Sequence, residues 1–406
     1  MTRVHRRRSL TREEALEYQR RKEELLLKKQ ESKELAKGPI DLPFLVLVFL
    51  LTGVGLIMLF SASFPSGYYE NGDPFAYVRK QAVFAVLGAA AMLLVGKINY
   101  QHFRRLSKPM LFASVILLVL VLIPHNPLAV TRNHATRWLG IKGTSLQFQP
   151  SEIAKMAVVL YFSDNISKKK DQMNSFRHGV LPYAIWLVVL AGLVGKEPHM
   201  SGALLILGGG AVLMLVGGVQ WRWVLSAIGV VGGAMYLVLF VIGYNTSRVT
   251  YWLNPWADAR DKGYQLSQSL LAVGSGGLLG VGFGRSRQKY LYLPEEHNDF
   301  IFAIVCEELG LIGAAIIMLL FAALILRGYW IALHARDRFG SLLAVGFTTL
   351  LALQTFLNIG VVTGLLPTTG ISLPFFSYGG TALTIQMMEM GVILSVSRQM
   401  KPTRSG

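Results

Sequence analysis

Ten apolar stretches dominate this chain of 406 residues, at about 43–63, 79–96, 108–124, 150–163, 180–196, 199–217, 221–243, 300–326, 340–363 and 377–397. A helix of about 20 residues crosses the hydrocarbon core of a bilayer, where only helices and closed barrels satisfy their own backbone hydrogen bonds. Unbroken runs of this length, instead of apolar faces recurring every three or four residues, exclude a soluble globular fold. With 52% hydrophobic and 16% charged residues, the composition agrees, as does a mean hydropathy of +0.45. The expected fold is an all-α polytopic membrane protein of ten transmembrane helices, the fourth of them short.

A formal net charge of +17 first suggests a nucleic-acid or anionic-lipid partner. The basic residues gather in the first forty positions and in short loops, which is the pattern of topology signals and not of a nucleic-acid groove. If the amino-terminal tail is cytoplasmic, the inner segments are Lys97 to Lys108, Lys168-Lys169-Lys170 to Arg177, Arg222, Arg327 to Arg338 and Arg398 to Arg404. The outer segment 64–78 holds Glu70 and Asp73 with no basic residue. Ten spans then place both termini inside. One outer loop breaks the rule by carrying Arg132, Arg137 and Lys142, and a basic loop on that side asks for a function. The expected division is a charged tail over 1–41, a membrane domain over 42–400 and a cytoplasmic end over 401–406. Within the tail, Thr11 and Glu14 form a capping-box signature and Gly38-Pro39 ends the helix. The lone Cys306 rules out an internal disulfide, and the basic start leads into no signal peptide.

The connection 244–299 is the outlier, with about 55 residues where roughly 2–8 join packed helices. Trp252 and Trp256 suit a membrane interface, and Tyr264 to Val273 is amphipathic. The glycines at 274, 276, 277, 280, 282 and 284 resemble a phosphate cradle, but no strand precedes them and no helix follows at once. They read as a flexible or closely packed turn after a re-entrant or interfacial segment.

Unusual polar residues collect at the outer ends of the spans. YLYLPEEHNDFIFAIVCEELGLIG at 290–313 crowds Glu295, Glu296, His297 and Asp299 where water meets lipid. Such groups are either a helix cap or a functional site. Glu152 and Lys155 share one face of the fourth helix, as an ion pair or as substrate ligands. Arg137 lies just upstream, Lys196-Glu197-Pro198-His199 turns between helices five and six, and Ser377-Tyr378-Gly379-Gly380 opens the tenth. That glycine pair can equally serve a close helix crossing. Several helix amino termini at one face suit an anionic ligand. The interiors of the spans are nearly free of charge. No GxSxG, HExxH or GxxxxGK[ST] pattern is present, and no spacing suggests a dedicated metal site.

TRWLG at 136–140, FQPSEIAK at 148–155, LPEEHNDFIFA at 293–303, EELGLIG at 307–313 and GLLPTTGISLPFFSYGGTAL at 364–383 resemble the SEDS glycosyltransferases, the family of FtsW, RodA and SpoVE. The likeness runs from about residue 43 to 400. It implies polymerisation of lipid II into glycan strands at the outer face of the bacterial cytoplasmic membrane. It also implies a class B penicillin-binding protein as transpeptidase partner, among other division or elongation proteins. The family's catalytic aspartate falls on Asp299, its arginine on Arg137, and its glutamate and lysine on Glu152 and Lys155. Asn298 stands where threonine is common. The turn that often reads PDxG is here Pro198 to Gly202, which leaves that turn's acidic contribution open. The charged tail and the TRNHATRWLGI stretch lean towards FtsW and the division septum, with RodA-like elongation and SpoVE-like sporulation as alternatives.

Extending a glycan means attack of an acceptor 4-hydroxyl on the donor's C1, with loss of undecaprenyl pyrophosphate. A base and a set of cations are required. Asp299 is the expected base, held ionised by a helix amino terminus, with His297 in reserve. Arg137 and Lys155 would meet the pyrophosphate, Glu152 orienting Lys155, with Arg285 and Lys289 as weaker candidates. Glu295, Ser377, Tyr378, Gly379 and Gly380 complete the expected substrate site. A Mg or Mn ion could bridge pyrophosphate to Asp299 or Glu152. The competing readings are a lipid II flippase or transporter, and a scaffold that only recruits the transpeptidase.

Overall fold

The structure, a computed structural model, describes residues 38–124, 126–132, 135–140, 147–197, 199–236 and 246–400, with positions 17, 19, 20 and 23. The Thr11–Glu14 tail signature, Lys142, Pro198 and the 401–406 end lie outside the described residues. The helices are α1 (Leu42–Asn71), α2 (Ala76–Lys97), α3 (Phe103–Leu122), α4 (Pro150–Lys168), α5 (Leu181–Lys196), α6 (Met200–Val216), α7 (Trp221–Tyr236), α8 (Thr246–Leu253), α9 (Tyr264–Ser275), α10 (Ile301–Leu333), α11 (Arg338–Val362) and α12 (Gly380–Ser397). Among the described residues, seven are long and apolar enough to cross a membrane: α1, α2, α3 with the turn before it (Tyr100–Leu122), α5 with the turn before it (Phe176–Lys196), α10, α11 and α12. Of the other expected spans, α4 carries Glu152, Lys155, Asp164 and Lys168, α6 has 17 residues, and α7 is described over 16.

The expectation of an all-α chain is corrected by a small antiparallel sheet. Its strands are β1 (Ala129–Arg132), β2 (Ala135–Gly140) and β3 (Gln147–Phe148), in the order β1-β2-β3. The described part of the basic loop is therefore paired: β2 pairs Trp138 with Val130 and Leu139 with both Ala129 and Phe148. Thr136, Trp138 and the buried Leu139 are residues that suit a pleated, half-buried surface.

Small residues set the helix packing. Gly391 on α12 sits so close to α2 that an added Cβ would lie 2.6 Å from the Met92 carbonyl oxygen, the close approach that replaces hydrophobic drive inside lipid. Val83, Val86, Leu87 and Leu94 of α2 are left exposed, as lipid contact requires, while α11 and α12 form the enclosed centre. Asp41 caps α1 by accepting from the Phe44 N–H at 3.0 Å and pairs with Arg327 at 2.7 Å. Arg327 thus belongs to α10, which continues to Leu333 past the expected loop start.

The long connection contains α8, a short 3-10 turn at Pro255–Asp258 and α9, the last falling on the amphipathic run. Of the glycines that follow, Gly276 and Gly280 pack closely, an added Cβ running into the Cys306 and Glu308 carbonyls, while Gly274, Gly277 and Gly284 face open space. Residues 277–282 lie along α10 where it breaks at Gly310 (φ 67°, ψ −171°). Val281 and Gly282 donate to the Glu307 and Glu308 carbonyls (3.0 and 3.1 Å), and Leu311 and Ile312 donate to Gly277 and Leu278 (2.9 and 3.2 Å). A Cβ at Gly310 would lie 2.3 Å from the Gly280 nitrogen, so no side chain fits at this crossing.

Candidate active site

Around 800 Å³ of cavity opens where β2, α4, the α5–α6 turn, the segment before α10 and the segment before α12 converge. All ten expected site residues line it: Asp299, Arg137, Glu152, Lys155, His297, Glu295, Ser377, Tyr378, Gly379 and Gly380. Arg285 and Lys289, the weaker candidates, do not. Lys289 is buried elsewhere, 2.9 Å from Glu308.

Local chemistry builds each wall. Pro150 opens α4 and puts Glu152 in its first turn, where a carboxylate suits the positive helix end. Lys155, one turn on, is buried and sits 2.8 Å from Glu152, with Gln354 of α11 at 3.4 Å. The ion-pair reading of these two residues holds, and both line the cavity. Arg137 of β2 donates from Nε to the Glu197 carbonyl at 3.1 Å, tying the sheet to the α5–α6 turn.

The segment before α10 is a tight turn, not the first turn of the helix. Glu295 adopts φ 57°, and its carbonyl accepts from Asn298 and Phe300 (3.0 and 3.2 Å). The helix begins at Ile301, two residues beyond Asp299. Asn358 donates to the Asp299 carbonyl at 2.7 Å and to Ile371 at 2.6 Å, so one amide anchors both sides of the site. Glu296 is buried, taking a short hydrogen bond from Ser66 and meeting His297 Nδ1 at 3.1 Å. The Ser377 hydroxyl donates to Asn298 (2.7 Å) and Tyr378 N–H to His297 (2.9 Å), which fastens the SYGG turn to the Asp299 turn. The Tyr77 ring lies tilted 4.5 Å from that of His297 and meets that of Tyr378 edge to face at 5.0 Å.

Asp299 is not held in an easily ionised state. Withdrawal from water and then the Glu295 carboxylate raise its pKa to about 7, against the opposing pull of Arg137 and His297. The dipole argument fails because Asp299 lies outside the first turn and desolvation outweighs it. A carboxylate near 7 is better matched to accepting a proton at neutral pH than one near 4.

Several residues near the cavity were left out of the expected site, although Glu197 and His199 stood in the noted turn between helices five and six. Glu197 is 1% exposed, both its oxygens lack a partner among the described residues, and burial lifts its pKa to about 8 despite Arg137. The α5–α6 turn thus does bring an acid beside Arg137, from another position than the usual motif. His199 lines the cavity, its Nδ1 without a partner among the described residues. Gln81 of α2 receives the Gly379 N–H and donates to the Ser377 carbonyl, both at 3.1 Å. A lone Gln81 within an apolar helix was the available signal, as were Gln354 and Asn358. Glu389, mid-way along α12, is buried with one oxygen unpartnered among the described residues, and its charged neighbours are Lys155 and Glu152. The span interiors are therefore less free of charge than expected. Because Glu389 is three residues from the cavity-lining Gln386, its helix face continues the site downward.

A helical membrane scaffold with a charged cavity at the ends of its spans defines the class, and comparison with known proteins defines the family. Residues 42–402 match the family described as cell cycle protein, that of FtsW, RodA and SpoVE. The chain is 40% identical to the probable peptidoglycan glycosyltransferase FtsW of Geobacter metallireducens, over 89% of this chain and 96% of the relative. It is 42% identical to the stage V sporulation protein E of Bacillus subtilis, over 88% and 97%. Its fold is similar to the crystal structure of the rod shape-determining protein RodA of Thermus thermophilus, with a TM-score of 0.65, 26% identity and coverage of 90% and 99%. A chain from a peptidoglycan synthase complex that coordinates polymerization and crosslinking gives a TM-score of 0.74 at 26% identity, covering 89% and 98%. The protein belongs to the FtsW/RodA/SpoVE family.

Proposed function

We propose that this protein is a peptidoglycan glycosyltransferase that polymerises lipid II into glycan strands, at the division septum in the manner of an FtsW. One observation carries the reading: Asp299, Arg137 and Lys155, far apart in the chain, line one cavity. Asp299 takes the proton of the acceptor 4-hydroxyl as its oxygen bonds to the donor C1. The C1–oxygen bond to the diphosphate breaks, and Arg137 and Lys155 stabilise the charge that leaves. Glu152 holds Lys155. Glu295 and His297 tune Asp299, and Ser377, Tyr378, Gly379 and Gly380 shape the substrate wall.

In this reading ten helices cross the bacterial cytoplasmic membrane, α4, α6 and α7 included. Both termini are cytoplasmic, 1–41 is a tail, 401–406 a short end, and 244–299 an outer connection. A class B penicillin-binding protein crosslinks the strands, and other division proteins accompany the pair. Among the described residues no three metal-ligating side chains come together. A Mg or Mn ion would therefore be held through the diphosphate with Asp299 or Glu152, and no step is assigned to it.

The test is polymer formation from labelled lipid II by the purified chain with a cognate transpeptidase. The native chain is expected to make polymer, and Asp299→Ala to lose about 10²–10⁴-fold in rate with unchanged thermal unfolding. Polymer at the native rate from the variant would remove Asp299 as base. A lipid II carrier is the alternative that Glu389 favours. It predicts movement of labelled lipid II between leaflets, with no polymer from the native chain.

A further inference from the structure

Asp299 lines two cavities, not one. Behind it lies a second space of about 320 Å³, and among the described residues only Asp299 and Gly370 belong to the walls of both. Gly370 is the reason the two come so close. A Cβ added there would lie 3.0 Å from Asp299 Oδ2, so the missing side chain leaves the carboxylate open at the neck.

The two spaces differ in chemistry. The larger holds Arg137 and Lys155, the cations suited to a diphosphate. The smaller is lined by Tyr251 and Trp252 of α8, Gln265 of α9, Thr368 and Thr369 after α11, and Lys262 at its exposed rim, with no carboxylate besides Asp299. The Lys262 ammonium already lies over the Tyr251 ring, 5.9 Å from its centroid, which leaves the half-buried Trp252 ring and the neutral hydrogen-bonding groups to fit an uncharged sugar ring, its C–H face on the indole plane and its hydroxyls on polar partners. The site is pre-organised: the Trp252 indole N–H donates to the Gly364 carbonyl at 2.9 Å, which fixes the ring. Its size is near the lower end of small-molecule sites, about 300 Å³, while the larger cavity has room for a charged donor.

A transfer between two glycans needs two sugars meeting at one base, and a carboxylate set in a shared wall can reach both. We infer that the smaller cavity is the acceptor subsite, holding the terminal N-acetylhexosamine ring whose 4-hydroxyl attacks, while the larger cavity holds the donor's diphosphate. The inference rests on the glycosyltransferase reading. The acceptor oxygen gives its proton to Asp299 and its electron pair to the donor C1, and the diphosphate departs with the electrons of the broken bond.

The experiment uses the full chain with its transpeptidase in phospholipid vesicles. The donor is a labelled lipid-linked glycan whose own 4-hydroxyl is methylated, and lipid II is the acceptor; each is varied in turn. Trp252→Ala is expected to raise the half-saturating acceptor concentration about tenfold, as truncating an aromatic anchor does, with the donor value within about twofold of native. Thr369→Val, which keeps the side-chain shape, should shift the acceptor value in the same direction while unfolding at the native temperature. Acceptor values unchanged in both variants, or donor values that move equally, would overturn the assignment. Absence of transfer by the native chain would instead remove the glycosyltransferase reading, and this subsite with it.

Discussion

Two groups of buried charge lie on either side of the Tyr290–Asp299 segment, and they are built on opposite principles. In the first, Lys289 sits 2.9 Å from Glu308 and 3.0 Å from the Ser61 hydroxyl, and Ser61 donates to Glu308 at 2.7 Å. Glu307 beside it accepts from the Ser286 hydroxyl at 2.5 Å and from the Arg287 N–H at 2.9 Å. In the second group, lining or bordering the larger cavity, Glu197 has both oxygens unpartnered among the described residues, and Asp299 and Glu197 are pushed towards neutrality. The paired network fastens the 277–289 loop to α1 and α10, with the Gln288 amide oxygen of that loop unpartnered among the described residues. The second leaves the Glu197 carboxyl without such a tie among the described residues. A buried polar group costs free energy unless paired, so the second arrangement is the costlier one for the fold to hold.

The contrast can be broken most forcefully at the two lysines. Lys289→Ala strands Glu308 in a dry site and is expected to cost about 3–5 kcal/mol, a large fall in thermal midpoint in detergent. Lys155→Ala leaves Glu152 beside the cavity and should lower the midpoint far less while sharply reducing polymerisation. Equal midpoints for the two variants would end the distinction. Next in size is Gly310→Ala. It forces a Cβ into the Gly280 backbone at a left-handed φ, and should cost more than the about 1–3 kcal/mol of such backbone strain alone, read as a lower midpoint with the Lys155–Glu152 site untouched.

The gentlest test is pH. Asp299 accepts a proton only when ionised, so polymerisation should rise as pH passes upward through about 7. Above about 8 Glu197 ionises beside Arg137 and offsets its charge, so the rate should fall, and Glu197→Gln should remove that falling limb. Because the folded-state pKa of Asp299 is raised, the folded chain binds the proton more tightly than the unfolded one. Its cost to stability is absent below the ordinary carboxylate pKa and grows as pH rises to about 7. Asp299→Asn should therefore unfold at a higher temperature than native at pH 8, the gap closing towards pH 4. A flat pH–rate profile would contradict the assignment of the base.

Much of the site was legible because membrane spans are written in one dimension. Their length, flanking charges and proline or glycine punctuation place Glu152, Asp299 and the SYGG turn at helix ends. The motifs around them then single out Asp299, Arg137, Glu152 and Lys155. The sheet holding Arg137 was not legible, since short strands in a basic loop carry little periodic signal against long apolar runs. The partners Gln81, Gln354 and Asn358 hid as single polar letters inside helices, because what each one reaches depends on the crossing of another helix.

The sequence by itself determined a helical membrane protein and ten residues that line its charged cavity. Only the tertiary structure decided the ionisation of Asp299, because desolvation and neighbouring charge depend on distances across the fold and not along the chain. It also decided that the break in α10 at Gly310 is where the 277–282 segment docks, and that Asp299 stands between two cavities. These follow from close approach of backbones, which glycine permits and sequence order does not specify.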